Sequence, residues 1–160
     1  MRTDDGLLVV GAAEGLAGPD DIVVKLQASQ TGGRWGVAVV SGVPGEGGRT
    51  HVHRGEPEGF FVLQGEIELL GVASRTPIGP GTFVLVPPNT EHGLRIVGTG
   101  EARWLAIWPA ALDGFVEELL TLGPADAAGA ADLRRRHSTW SSRSTRTAAT
   151  PSRSGPRCTA

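Results

Sequence analysis

The chain has 160 residues, of which 39% are hydrophobic and 20% are charged, with a formal net charge of −2 at pH 7. This length suits one domain, because domains cluster near about 100 to 150 residues. No apolar run approaches the roughly 20 residues of a membrane span, and no basic segment leads into an apolar one as in a signal peptide, so we expect a cytoplasmic protein with no membrane partner.

The N-terminal 34 residues contain two short apolar runs, Leu7–Val10 and Ile22–Val24. A link rich in Gly and Ala, which includes Gly18 and Pro19, separates them. We predict that residues 1–34 form edge strands or a partly ordered arm.

Residues 35–110 have the pattern of a β-domain. The chain's 24 glycines and 11 prolines lie mostly between short runs of Val, Ile and Leu, as turns lie between short strands. Seven strands joined in this way fit a closed antiparallel barrel, which removes exposed strand edges. The predicted strands are Trp35–Val40, Thr50–His53, Gly59–Leu63, Glu66–Leu70, Thr82–Val86, Leu94–Val97 and Ala102–Trp108.

A helix is predicted after the barrel. Apolar residues recur at helical spacing after Pro109, and Gly123 with Pro124 ends the run. One amphipathic helix within residues 111–123 therefore packs next to the barrel. Its apolar positions are Leu112, Phe115, Val116, Leu119 and Leu120.

The composition changes after Asp132. Residues 1–133 contain all 17 acidic and eight of the 15 basic residues, a net charge of −9, whereas the last 27 residues have seven basic residues and no acid. An Arg/Ser/Thr-rich segment buries too little apolar surface to fold, so residues 124–160 are predicted to be a linker and a disordered basic tail. Nucleic acid is not the favoured partner of this tail, because Trp140 is its one aromatic residue for base stacking.

Three of the four histidines lie between residues 51 and 92, and their spacing is that of a metal site. Side chains alternate along a strand, so His51 and His53 face the same side. A turn then allows Glu58 to return to that point, with the parity of the core position Phe60. His92, at the start of a later strand, supplies a third imidazole. The alternative, that these are ordinary exposed or hydrogen-bonded barrel residues, is the weaker interpretation.

The donor set limits the metal. The single cysteine, Cys158, is near the C-terminus, so the ligands must be nitrogen and oxygen atoms. Three neutral imidazoles and a carboxylate suit one divalent transition metal, namely Fe, Ni, Mn, Co, Cu or Zn, and leave coordination positions open. The sequence does not select among these metals.

Two motifs, Gly45-x5-His51-x-His53-x4-Glu58-x6-Gly65 and Gly81-x5-Pro87-x-Asn89-x2-His92, resemble the two conserved motifs of the cupin superfamily. The resemblance covers about residues 35–110 and implies an all-β, double-stranded β-helix (jelly-roll) barrel with a metal inside. The second motif departs at Asn89, where glycine is usual, and at Ile96, where asparagine is frequent. Because Asn tolerates a left-handed backbone, we expect the turn at Asn89 to survive.

The single barrel followed by Trp104-x3-Trp108-Pro109 is similar to that of small monocupins (cupin type 2) described as quercetin-dioxygenase-like. This resemblance implies a dioxygenase-like oxidoreductase in which the metal binds an enol or phenol oxygen of a small aromatic or enolic substrate. Glu58 is then the catalytic proton acceptor as well as a metal ligand. The candidate pocket residues, for which plain barrel packing is the alternative, are Arg49, Phe60, Val62, Phe83, Leu94 and Trp104.

Other functions and a partner remain open at this point. The same ligands serve redox-neutral isomerisation, cyclisation or decarboxylation, with the metal as a Lewis acid. A non-catalytic small-ligand-binding barrel is a third class, since a fold does not fix a function. The resemblance also implies a homodimer, for which the runs Leu7–Val10 and Ile22–Val24 are candidate exchanged strands.

Overall fold

Two antiparallel sheets form the molecule in a computed structural model, which describes residues 4–47, 50–122 and 126–137. A six-stranded sheet has the order β1-β2-β3-β9-β4-β7, and a three-stranded sheet has the order β6-β5-β8. The strands are β1 (Leu16–Ala17), β2 (Ile22–Leu26), β3 (Trp35–Gly42), β4 (Glu58–Gln64), β5 (Glu66–Leu70), β6 (Arg75–Ile78), β7 (Phe83–Val86), β8 (Gly93–Val97) and β9 (Ala102–Pro109). The prediction of an all-β, double-stranded β-helix is confirmed.

The core between the two sheets lies at one end of the barrel. Val62 of β4 and Ala102 of β9 pack there on Ile67 of β5 and Ile96 of β8, and each of the four is at most 3% exposed. The asparagine that is frequent at position 96 in the family pattern would stand in this apolar cluster.

A second core cluster fills the other end, where a helix covers the six-stranded sheet. Its buried members all come from that sheet and from α1 (Asp113–Leu120). They are Val24, Ala38, Phe60, Val86, Ala106, Trp108 and Val116. The predicted amphipathic helix is thus confirmed as α1, and it closes this end of the barrel.

Asp113 fixes α1 on the barrel. The indole Nε1–H of Trp108 donates to Asp113 Oδ1 at 2.9 Å, and the backbone N–H of Ala28 donates to Oδ2 at 2.8 Å. Ala28 begins a short 3-10 helix, Ala28–Thr31, that follows β2. One carboxylate therefore joins the start of α1 to the last strand and to the N-terminal segment.

One predicted strand differs from the fold. Thr50–His53 is not a strand: His51 forms an isolated bridge with His92. Residues 66–80 are predicted to form a connecting hairpin, and β5 pairs there with β6, a strand additional to the seven predicted. This strand includes Pro77, which an edge position tolerates.

A second helix, α2 (Ala127–His137), lies where a linker is predicted. Alanine is the best helix former, and Ala130 and Leu133 are buried against Leu119 of α1, so tertiary packing stabilises this segment. The disordered tail predicted beyond it, residues 138–160, lies outside the described residues. Within the described part of the chain, no helix is long and apolar enough to cross a membrane.

Candidate metal centre

Backbone hydrogen bonds place the two histidine segments side by side. The N–H of His51 donates to the carbonyl of His92 at 2.8 Å, and the N–H of His92 donates to the carbonyl of His51 at 3.0 Å. The N–H of Asn89 donates to the carbonyl of His53 at 2.9 Å. Asn89 has φ 61°, so the left-handed turn expected at this position is present. Glu58, at the start of β4, reaches the same point from the neighbouring strand.

The four side chains converge. Their ligand atoms all lie within 4.8 Å of one another. The Nε2 atoms of His51 and His53 are 3.1 Å apart, and Glu58 Oε2 lies 3.0 Å from His53 Nε2 and 3.1 Å from His92 Nε2. Ligands bound to one cation at about 2.0 to 2.2 Å lie roughly 3 to 3.5 Å from their neighbours, so this cluster fits a shared metal ion.

The tautomer of His92 strengthens this fit. Its Nδ1–H donates to the carbonyl of Thr90 at 2.9 Å, which leaves Nε2 of the neutral ring as an acceptor facing the Glu58 carboxylate. Two acceptors in contact need a proton or a cation between them. A histidine whose second nitrogen is held by a backbone carbonyl is also the usual arrangement of a metal ligand.

The charges of the cluster depend on one another. Burial alone would raise the pKa of Glu58, but hydrogen bonds from His53 and His92 and the positive charges of His53 and His51 lower it to about 2. Burial likewise disfavours the charged form of His92, yet the hydrogen bonds to Glu58 and to the carbonyl of Thr90 leave its pKa raised. Without a metal, the cluster therefore retains a proton on His92 beside an ionised carboxylate.

An apolar chamber lies next to Glu58 under α1. Its volume is about 90 Å³, and it is lined by side chains of β2, β3, β4, β9 and the segment from Leu112 to Leu119. Glu58 forms part of the wall, so the candidate metal site borders this space. The lining residues are Ile22, Val24, Ala38, Val40, Glu58, Ala106, Trp108, Leu112, Phe115, Val116 and Leu119.

Of the residues predicted to form a substrate pocket, those that the structure describes do not line this chamber. The ring centroid of Phe60 is 6.0 Å from that of His92, so this side chain packs beside the cluster. Val62 is fully buried in the core between the sheets, and Leu94 and Trp104 pack against both core clusters. Phe83 is 56% exposed, because it has the parity of the outer face of β7, and the prediction that it faces the interior is corrected. Arg49 lies outside the described residues.

The residues that do line the chamber were not predicted as a pocket. The inward parity of Ala38, Ala106 and Trp108 can be read from the strand pattern, and the apolar face of α1 from its periodicity. Neither pattern says which end of the barrel the helix covers. That information is a long-range contact, and the sequence carries no local signal for it.

The fold and this cluster define a small β-barrel with a candidate metal site of three histidines and one glutamate. The family model described as "Cupin domain" matches residues 38–108. Residues 38–108 are thus a cupin-type domain. No curated protein matches the chain in sequence.

Solved structures with the same fold are similar to this chain at low sequence identity. A predicted oxalate decarboxylase from Thermotoga maritima is 19% identical with a TM-score of 0.59, and the match covers 64% of this chain and 98% of that one. The polyketide cyclase RemF from Streptomyces resistomycificus is 19% identical with a TM-score of 0.50, covering 60% and 72%. An uncharacterized conserved protein with a double-stranded β-helix domain from Klebsiella pneumoniae is 20% identical with a TM-score of 0.50, covering 64% and 83%. At these identities the likeness is one of fold.

Proposed function

We propose that this chain is a metal-dependent enzyme with dioxygenase-like chemistry, acting on a small enolic or aromatic substrate at a site formed by His51, His53, Glu58 and His92. The observation that carries the proposal is the convergence of three imidazole nitrogens and one carboxylate on a point beside an apolar space.

The protein's own groups have separate tasks in this proposal. His51, His53 and His92 would hold the cation, and the hydrogen bond to the carbonyl of Thr90 orients Nε2 of His92 towards Glu58. The apolar wall of the chamber offers water few hydrogen-bonding partners, so electrostatic interactions beside it are stronger than in bulk water. When bound, a divalent metal supplies a Lewis acid for an enol or phenol oxygen and, in a dioxygenase, the redox chemistry with dioxygen.

Glu58 is the proton acceptor. Its low pKa keeps it ionised at neutral pH, and its position in the chamber wall supports contact with a substrate bound there. A carboxylate that borders both the cation and the substrate can take the proton of a substrate hydroxyl. Replacing Glu58 by Gln keeps the shape of the side chain and removes this function.

Dioxygen uptake tests the proposal. Protein purified without an affinity tag is analysed for bound metal, then reconstituted with Fe²⁺, Ni²⁺, Mn²⁺, Co²⁺, Cu²⁺ or Zn²⁺ and given small enolic substrates in an oxygen electrode. We expect metal-dependent dioxygen consumption that Glu58→Gln reduces and Glu117→Gln, on the exposed face of α1, leaves unchanged. Substrate turnover without dioxygen consumption would reject the dioxygenase.

A redox-neutral reaction is the second candidate. Glu58 favours it, because one carboxylate beside a Lewis acid is sufficient to move a proton in an isomerisation, cyclisation or decarboxylation. Two of the similar folds are described as a predicted decarboxylase and a cyclase. Product formation at the same rate under nitrogen would favour this candidate, and metal uptake with no turnover of any kind would favour a ligand-binding barrel.

The proposal includes a homodimer. The outer face of the six-stranded sheet carries large exposed side chains: Trp35, Leu63, Phe83 and Leu85. Antiparallel sheets usually present polar side chains to water, so an apolar outer face is typical of an interface. Light scattering should give twice the chain mass for the wild type and the monomer mass for a Phe83→Glu, Leu85→Lys variant. A monomeric wild type would contradict the dimer.

A further inference from the structure

The chamber beside Glu58 is small and almost entirely apolar. Its volume is about 90 Å³, and among the residues that the structure describes Glu58 is the one ionisable side chain in its wall. The indole N–H of Trp108, the other polar group there, is already engaged by Asp113. A ligand in this space therefore meets one acceptor and otherwise only hydrocarbon and aromatic surface.

Its volume can be compared with cavities of known capacity. Pockets for drug-sized ligands measure about 300 to 1,000 Å³. A cavity of about 150 Å³ holds benzene, and a water molecule takes up about 30 Å³ of liquid. At about 90 Å³ the chamber has room for a molecule smaller than an aromatic ring.

The roof of the chamber is a packed helix. Val116 and Leu119 of α1 are 8% and 2% exposed, and Leu119 packs in turn against Ala130 and Leu133 of α2. Asp113 holds the start of α1 through two hydrogen bonds. Core side chains, and not a surface loop, thus set the size of the space.

We propose that α1 restricts the substrate to a small, uncharged and mostly apolar molecule of about three to five non-hydrogen atoms, with one oxygen directed at Glu58. Val116 from the roof and Ala38 from β3 set this size limit. The inference rests on the proposed function, because it takes the ligand of the chamber to be the substrate of the metal centre. It narrows the substrate class from aromatic or enolic to small and enolic.

Fluorine NMR with two probes tests the size limit. The zinc-loaded protein is titrated with 2-fluoroethanol, which fits the chamber, and with 4-fluorobutan-1-ol, which is larger than the proposed limit. Val116→Ala removes two methyl groups from the wall and should bind 4-fluorobutan-1-ol at least fivefold more tightly than the wild type. Ala38→Val fills it and should bind 2-fluoroethanol at least fivefold more weakly. Val72→Ala, the same truncation at an exposed valine, is the matched control and should change neither affinity more than twofold.

Three results would overturn the size limit: no binding of 2-fluoroethanol to the wild type, a change smaller than fivefold for 4-fluorobutan-1-ol in Val116→Ala, or a control that responds like the chamber variants. Circular dichroism establishes that each variant is folded. If Val116→Ala does not fold, Ala38→Val decides, and an unchanged affinity for 2-fluoroethanol overturns the limit.

Metal content, measured on the same samples, separates the two proposals. If the wild type binds metal but does not distinguish the small probe from the large one, only the size limit is contradicted. If the wild type distinguishes the probes but binds no metal, the metal-dependent enzyme is contradicted, and the ligand of the chamber is not the substrate of a metal centre.

Discussion

Replacing Glu58 by Gln in the metal-free protein should change how stability depends on pH. Hydrogen bonds and charges from the histidines lower the pKa of this carboxyl from 4.5 to about 2, although burial acts in the opposite direction. One pH unit of difference between the folded and unfolded pKa corresponds to about 1.4 kcal/mol. The ionised Glu58 therefore contributes about 3 kcal/mol to the free energy of unfolding.

The sign of the effect follows from which state holds the proton. For Glu58, with its pKa lowered on folding, the stabilisation is fully present above pH 4.5 and is lost as the pH falls towards 2. For His92, with its pKa raised, the stabilisation is present below pH 6.5 and is lost as the pH rises through the folded value. Both pKa shifts arise largely from the interaction between Glu58 and His92, so its contribution to the free energy of unfolding is counted only once. The metal-free protein should thus be most stable between about pH 4.5 and 6.5.

Urea unfolding at pH 3, 5.5 and 8 measures this dependence. At pH 5.5 Glu58→Gln should be about 3 kcal/mol less stable than the wild type, and the difference should shrink at pH 3 and at pH 8. At pH 8 the Gln amide can donate to a neutral imidazole, which reduces the loss further. Glu117→Gln, on the exposed face of α1, should follow the wild type throughout. Parallel pH profiles of Glu58→Gln and the wild type would refute the electrostatic coupling of the cluster.

The remaining predictions concern the metal and the barrel. His51→Ala and His92→Ala should each abolish stoichiometric metal uptake while a β-rich circular dichroism spectrum persists. His137→Ala, the control, should bind metal normally. Stoichiometric metal uptake by His51→Ala or His92→Ala would contradict a metal site shared by these histidines. Metal at 100 times its dissociation constant should add about 2.7 kcal/mol to the free energy of unfolding, and a chelator should reverse this gain. A thermal midpoint that metal does not change would argue against binding to the folded state. Gly36→Ala should destabilise the fold by about 1 to 3 kcal/mol in urea unfolding, because its Cβ would stand 2.5 Å from Cε2 of Trp108; a neutral result would mean that the indole moves aside freely.

The sequence predicted what depends on local pattern. Alternation placed Phe60 inside and the histidine pair on one face, and the spacing of glycines and prolines located six of the seven predicted strands. The proximity of His51, His53 and Glu58 follows from their short spacing in the sequence. His92 is 39 residues beyond His53, so its part in the cluster was predicted from the family resemblance of its motif and not from local pattern.

The predictions that were wrong concern features that depend on packing between distant parts of the chain. The length of Thr50–His53 suited a strand, but the segment forms one isolated bridge, between His51 and His92, which lies 41 residues away. The composition of residues 127–137 gave no clear helix period, and burial of Leu133 against α1 supplies the stabilisation that isolated propensity lacks. Phe83 was assigned to the interior because its strand was read without its register to β4.

The barrel and the candidate metal site have largely separate sources of stability. The core between the sheets, around Val62, Ile67 and Ile96, contains no ligand, and backbone bonds between His51 and His92 hold two of the ligands in place. The site is thus preformed, unlike that of a small domain whose folding is driven by its metal. A preformed site of nitrogen and oxygen donors exchanges its cation without unfolding, so the metal found in the protein should follow availability as well as affinity. Activity should then be restored to the metal-free protein by metal addition alone, without refolding.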